Sequence, residues 1–362
     1  MGTGLARFMK SIPVVDVHEH HMPDPVPGRQ LGLLQLLQES YAGWTQVRPY
    51  PLPEEPPVTL GSTSDGPGSW EQIAPFVVGS GTNAAVRSLV RALCELYAVG
   101  SGEITESNHE KLDRDIRRRN ADRSWSAEVM GRSGVRTAIT DPYLDPLLDA
   151  RRALGERYRS VLRINAFAFG WHPQVRDHNG NNGQALMGRL GLAPASFEEY
   201  LEALPLVLDR LPSLNKLGLK NALAYDRSVD FDLLDHSAAR QAWGKPDPGE
   251  REKKAFGDCV VDRLCRLAGE RRIPFQMHLG SALIRGSRPL KAAGLIERHP
   301  RTRFLLMHLA YPWSGELLGM AYRELIAGSL EEKVREGSFR RRDAERLAVK
   351  ILHDNAQGFF GL

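Results

Sequence analysis

Cysteine is scarce in this chain: Cys94, Cys259 and Cys265 are the only three in 362 residues. The number is odd and no C-x-x-C occurs, which argues against a disulfide framework and suits a reducing, cytoplasmic setting. Long apolar runs are absent as well, and no stretch approaches the length of a membrane-spanning helix. The N-terminus lacks the apolar segment of a secretory leader, so none is expected. Gly2 is followed at position 6 by Ala6 rather than Ser or Thr, so the myristoylation pattern fails. Charge of one sign is in short supply too, with a net charge of only +4. The runs Arg117–Arg119 and Arg340–Arg342 fall in charge-mixed helical sequence and read as solvated helix faces. Neither nucleic acid nor a membrane is expected as a partner.

What is present is globular sequence, with 42% hydrophobic and 25% charged residues, enough to bury a sizeable core. The first strand signal is the β-branched run 12–17, ending at His18. Residues 28–40 read as a helix, 48–69 as a Pro/Gly/Ser-rich loop, and 83–131 as mostly helical. Residues 22–131 are therefore expected to form a helical insertion after strand one, within a single domain spanning 1–362. Beyond it the pattern is βαβα. Strands are expected at 135–140, 160–169, 216–220, 273–277 and 303–307, with helices at 144–158, 196–211, 253–271 and 289–298. Alternation of this kind implies a parallel sheet, and the fold expected is α/β, a TIM-like (β/α)8 barrel.

Six strands are legible, not eight, and residues 316–360 read as helical. Strands seven and eight are not evident. Either a segment is absent from the chain near residues 314–322 or the barrel is broken. The former is favoured, because an open parallel edge leaves backbone groups unpaired.

The chemistry-bearing signal is histidine. In His18-Glu19-His20 a spacing of two puts both imidazoles on one side of an extended strand end. The motif alone is weak. Its placement is stronger, since His18, His278 and His308 each end a separate apolar strand (VVDVH, IPFQMH, FLLMH). Strand ends of a barrel meet at one face, where active sites form. Zn is the metal most expected of such a set, with Mn, Fe or Ni as alternatives, and Mg or Ca is disfavoured. Asp16, two residues before His18, is expected on the same strand face, as a partner orienting a ligand or as packing beneath the site.

The segments VVDVHEH (14–20), LGLKNALAYDRSVDF (217–231), PFQMHLG (274–280), LLMHLAYPWSGE (305–316) and LHDNAQGFFGL (352–362) resemble the amidohydrolase superfamily, in its amidohydrolase-2-related branch. They also carry a distant likeness to uronate isomerases. The resemblance implies that His18 and His20 bind one metal and that His278 and His308 bind a second or act on substrate. It implies that Lys220 occupies the position where many members carry a carboxylated lysine bridging two metals. It also implies an Asp at the end of strand eight, as ligand and general base. No such residue is seen here, as Asp343 and Asp354 lie in helical sequence.

The function expected is a metal-dependent hydrolase acting on a small amide, ester or lactone through metal-activated water, with one or two divalent ions. Two alternatives are kept. One is a decarboxylase or sugar-acid isomerase on the same scaffold, and the other a degenerate barrel without catalysis. His172, Tyr225 and Arg227 lie just past strand ends and are candidates for contact with a small substrate, anionic or neutral. Association with further copies of the chain is expected.

Overall fold

The computed structural model describes residues 4–20, 31–40, 67–78, 83–122, 124–283, 285–308 and 330–361. Most of the 48–69 loop, residues 316–329 and the 314–322 segment lie outside them. The chain divides into two compact units, residues 1–23 with 134–362, and residues 24–133.

The smaller unit is helical, with helices Leu33–Glu39, Trp70–Val77, Ala84–Leu96, His109–Asn120 and Trp125–Arg132. The sequence from 109 to 130 reads as one continuous helical stretch, but Asp122 interrupts it. Its carboxylate accepts from the backbone and hydroxyl of Ser124 and starts a new helix. Leu33, Leu37, Ile73, Phe76, Leu93, Leu112 and Ile116 form the core of this unit. Asp113 locks it by accepting from the Leu33 amide at 2.8 Å and from Arg117 Nε at 2.7 Å.

The larger unit is built on six parallel strands in sequential order: β1 (Val14–Glu19), β2 (Val135–Thr140), β3 (Tyr158–Arg163), β4 (Lys216–Asn221), β5 (Phe275–Met277) and β6 (Phe304–Leu306). Each of the connections from β2 to β6 carries at least one helix, as parallel pairing requires. Helices Phe197–Asp209 and Glu250–Glu270 lay their apolar stripes on one face of the sheet. The main core forms there, from Leu162, Leu219, Phe275 and Met277 of the strands and Tyr200, Leu204, Phe256, Val260 and Leu264 of the helices.

The sheet is curled. In a flat sheet β1 and β6 would lie five strand spacings apart, ~24 Å. Instead, the rings of His18, at the end of β1, and His308, just past β6, have centroids 5.0 Å apart. Gln276 of β5 also reaches across to Val17 of β1. Among the described residues the fold is thus an α/β half-barrel, a curled, open, six-stranded parallel sheet. It is consistent with an incomplete TIM-like barrel, with no seventh or eighth strand among the described residues.

The lower part of the concave face is apolar. Val15, Ile139, Val161, Leu217 and Leu305, one from each of five strands, pack against Ala356, Phe359 and Phe360 of the C-terminal helix Asn355–Phe360. Asp343 and Asp354 belong to this helical C-terminal region. They pair locally with Arg340 and His353, far in role from a strand-end carboxylate.

Two elements of the larger unit also depart from the sequence reading. The apolar run 160–169 is not one strand: β3 stops at Arg163, and Asn165–Ala168 is a helical turn. Asn165 makes the break, because its Oδ1 accepts from the Ala222 amide and its Nδ2 donates to Asp226. The helix expected over 144–158 is only Ala150–Leu154, capped by Asp149 and ended by Gly155 at φ 114°.

Candidate functional site

The upper part of the same concave face is polar. Here β1 is irregular: Asp16 lies opposite Ala138 and Glu19 opposite Thr140, three steps on one strand against two on the other. This bulge breaks strict alternation. Val17 therefore packs against the apolar interior cluster while His18, the next residue, also faces inward, into a group of imidazoles. Asp16 is not simply on the face of His18, as alternation suggested; its Oδ1 turns back to accept from the His18 amide at 3.1 Å.

Four of the imidazoles expected together are together. Ring centroids are 4.6 Å apart for His18 and His20, 5.0 Å for His18 and His308, and 4.2 Å for His278 and His308. Lys220, fully buried at the end of β4, places Nζ 3.5 Å from His18 Nε2. Tyr225 lies against His278, with centroids 4.5 Å apart. His308 adopts φ 62°, in the left-handed region that non-glycine residues rarely occupy.

Burial dominates the electrostatics. It holds His18 and His278 well below the ordinary imidazole pKa, aided by Lys220 on His18 and by His308 on His278. His308 is brought down to about 3, by burial first and Lys220 second. His20 is lowered for the same leading reason. Burial likewise brings Lys220 down to about 7 against the pull of Asp141. The imidazoles are therefore neutral near neutral pH, while Lys220 is divided between its charged and neutral forms.

His18 Nδ1, His278 Nε2 and His308 Nε2 are buried without a hydrogen-bond partner. A buried ring nitrogen without a partner is costly, and a neutral imidazole is the form that ligates transition metals. By donor type and burial the set suits a divalent transition metal. As the rings are placed, however, no three His, Cys, Asp or Glu side chains among the described residues surround a common point suited to a metal ion. They form a donor set and not a finished coordination sphere.

Beside the imidazoles lies a network that the sequence reading missed. Asp141, one residue past β2, is completely buried and receives Arg163 on both carboxylate oxygens, at 2.5–3.1 Å. Burial alone would raise the Asp141 pKa, but the charge and hydrogen bonds of Arg163 outweigh it and hold the group below its usual range. The Asp141 carbonyl lies 3.4 Å from His20 Nδ1. Arg163 continues to Asn179 Oδ1 at 2.6 Å and to His178 Nε2 at 3.3 Å. A guanidinium can only donate, so His178 accepts at Nε2 and carries its proton at Nδ1, which meets Asp226 Oδ2 at 2.8 Å. The ring of His178 lies 5.0 Å from that of Tyr225. The strand-end rule that singled out the histidines applies equally to Asp141 and would have found it; Arg163 was hidden inside the run 160–169, which reads as one strand.

The other substrate candidates are placed differently. Arg227 turns away to a buried carboxylate: its guanidinium donates to Asp258, at 2.5 Å, and to the carbonyls of Ser228, Asp230 and Lys254. His172 Nδ1 accepts from the Gln174 amide in its own loop. Of the three, only Tyr225 stands beside the imidazoles.

Comparison with known proteins agrees with this architecture. A family model for amidohydrolases matches residues 238–328, about a quarter of the chain, which includes His278 and His308. No curated protein matches. Among solved structures, a uronate isomerase from Thermotoga maritima is similar over 98% of this chain and 96% of its own, with a TM-score of 0.70 at 13% identity. A glucuronate isomerase from Caulobacter crescentus covers 99% and 93%, with a TM-score of 0.66 at 15% identity. A protein from Lactobacillus casei put forward as a metal-dependent hydrolase covers 99% and 97%, with a TM-score of 0.63 at 12% identity. The chain thus carries a partial amidohydrolase-like domain on a fold similar to those of sugar-acid isomerases and a metal-hydrolase-like protein. At these identities the likeness is one of fold.

Proposed function

We propose that this protein is a metal-dependent hydrolase of the amidohydrolase type, acting on a small molecule at the mouth of the half-barrel. The observation that carries the reading is the meeting of His18, His20, His278 and His308, from three distant stretches of chain, with a buried, unpartnered ring nitrogen on each of His18, His278 and His308. His18, His20, His278 and His308 would hold the ion, most readily Zn, and Lys220 would join them as a carbamate if a second ion binds. A bound ion of this kind supplies Lewis acidity, polarising a carbonyl and making water nucleophilic near neutral pH.

The remaining work falls to protein groups. His178, oriented by Asp226 through Nδ1 and standing one ring beyond Tyr225, is the acid–base group, its Nε2 giving up the contact with Arg163 when it takes a proton. Tyr225 covers one side of the substrate position. The Asp141–Arg163 pair fixes the wall between His20 and His178. A sugar-acid isomerase is the second reading, supported by the two isomerases of similar fold. Such a reaction also needs a proton carrier beside a metal, so His178 keeps its place in either.

Elemental analysis of protein purified without chelator tests the proposal. One or two Zn, Mn, Fe or Ni per chain are expected, lost in His18→Ala with the fold retained. Metal content unchanged in that variant sinks the assignment. The intact native mass reads carboxylation of Lys220 as the added mass of one carbon dioxide. Panels of amides, lactones and uronates then separate hydrolysis from isomerisation.

A further inference from the structure

Gln276 is out of character for its position. It is fully buried on the concave face of β5, level with Lys220 of β4 and Leu305 of β6. An apolar residue would fill that place without the cost of desolvating an amide. Its Nε2 instead donates to the carbonyl of Val17 at 2.7 Å, across the curl of the sheet to a residue 259 positions away. The other face of the same peptide group is also held: the His18 N–H donates to Asp16 Oδ1. Both bonds fall on the one peptide inside the register shift between Asp16 and Glu19. The ladder between β1 and β2 does not fix this segment, because the shift interrupts it.

We propose that Gln276 and Asp16 clamp the Val17–His18 peptide and so hold the β1 bulge that turns His18 and His20 into the site. The inference rests on the reading of those imidazoles as ligands, and it names two positioning residues for them. The physical reason is the side-chain period of a strand. If the bulge relaxes by one residue, His18 passes to the opposite face of the sheet. The amide on β5 ties that choice to sheet closure: only a curled sheet brings Gln276 to Val17, so the ligand pair is set when β5 and β1 come together.

The test is Gln276→Met in the full chain, which keeps the volume and removes the donor, read in three ways. Zn affinity is measured by competition with a chromophoric chelator. The His18 and His20 imidazole resonances are followed in metal-free protein, and a thermal melt monitors the fold. The expected result is a loss in Zn affinity of about 10- to 100-fold, the range for groups that orient metal ligands. The His18 and His20 resonances should shift, with a cooperative melt retained. A second pair of variants covers the case in which Gln276→Met does not fold. Asp16→Asn keeps the acceptor for the His18 amide and should behave as wild type; Asp16→Ala removes it and should reproduce the loss. Unchanged Zn affinity and unchanged His18 resonances in folded Gln276→Met overturn the clamp, as does an Asp16→Ala indistinguishable from Asp16→Asn. If wild type binds no Zn, the ligand reading fails by itself, and the metal-free resonances still decide the clamp.

Discussion

The lower and upper parts of the concave face come from the same strands, yet they are built to opposite rules. β1 gives Val15 below and His18 above; β2 gives Ile139 and then Asp141; β3 Val161 and then Arg163; β4 Leu217 and then Lys220; β6 Leu305 and then His308. Within two or three residues each strand passes from a packed apolar plug, closed by Phe360, to a buried polar wall. The lower part is close-packed and indifferent to pH. The upper part carries ionisable groups that are expensive to bury, among which Asp141 and Arg163 balance each other. The contrast teaches that this fold places its ionisable groups at the strand ends, at the expense of stability, while the plug holds the strands in register.

Substitutions can break or sharpen that contrast. The largest effect is expected from Asp141→Ala, which leaves the Arg163 guanidinium buried without its carboxylate. A loss of about 3–5 kcal/mol by urea unfolding is expected, and a loss under ~1 kcal/mol would erase the distinction drawn for the upper wall. Next is Phe360→Ala, which empties part of the plug. It should cost about 3 kcal/mol while leaving metal content unchanged, so that plug and site separate in one variant. Lys220→Met should go the other way, stabilising metal-free protein by ~1 kcal/mol by removing a buried amine, and it should reduce bound metal.

The smallest effect concerns acid. An unfolded histidine titrates at about 6.5, whereas burial brings the folded His308 down to about 3. Between those values the unfolded chain takes up a proton that the folded chain does not, so this group's contribution to stability falls as pH falls. Burial lowers His18 and His278 in the same direction. Urea midpoints of metal-free wild type and His308→Gln, measured from about pH 7 to about pH 5, should therefore converge or cross as pH falls. Parallel curves would contradict the buried neutral state.

Much of this was written in the sequence. The strands read at 135–140 and 216–220, the long helix read at 253–271 and the histidines at three strand ends follow from local periodicity and placement, and the structure has them within a few residues of those bounds. The helical turn at Asn165–Ala168 did not, because the run reads as strand until Asn165 finds Ala222 and Asp226 far along the chain. Arg227 and Tyr225 looked equivalent in the loop after β4, and tertiary contacts separated them, one to Asp258 and one to His278. Asp141 was visible as a strand end, but Arg163 lay inside the run read as one strand, and their pairing was not visible.

The sequence by itself determined an α/β chain of parallel strands and the imidazoles that end three of them, since side-chain period and strand length are local properties. Only the tertiary structure decided which way His18 faces and what it meets. That choice depends on a bulge held by an amide 259 residues away and on a curl that brings the two ends of the sheet together, and no local pattern encodes either.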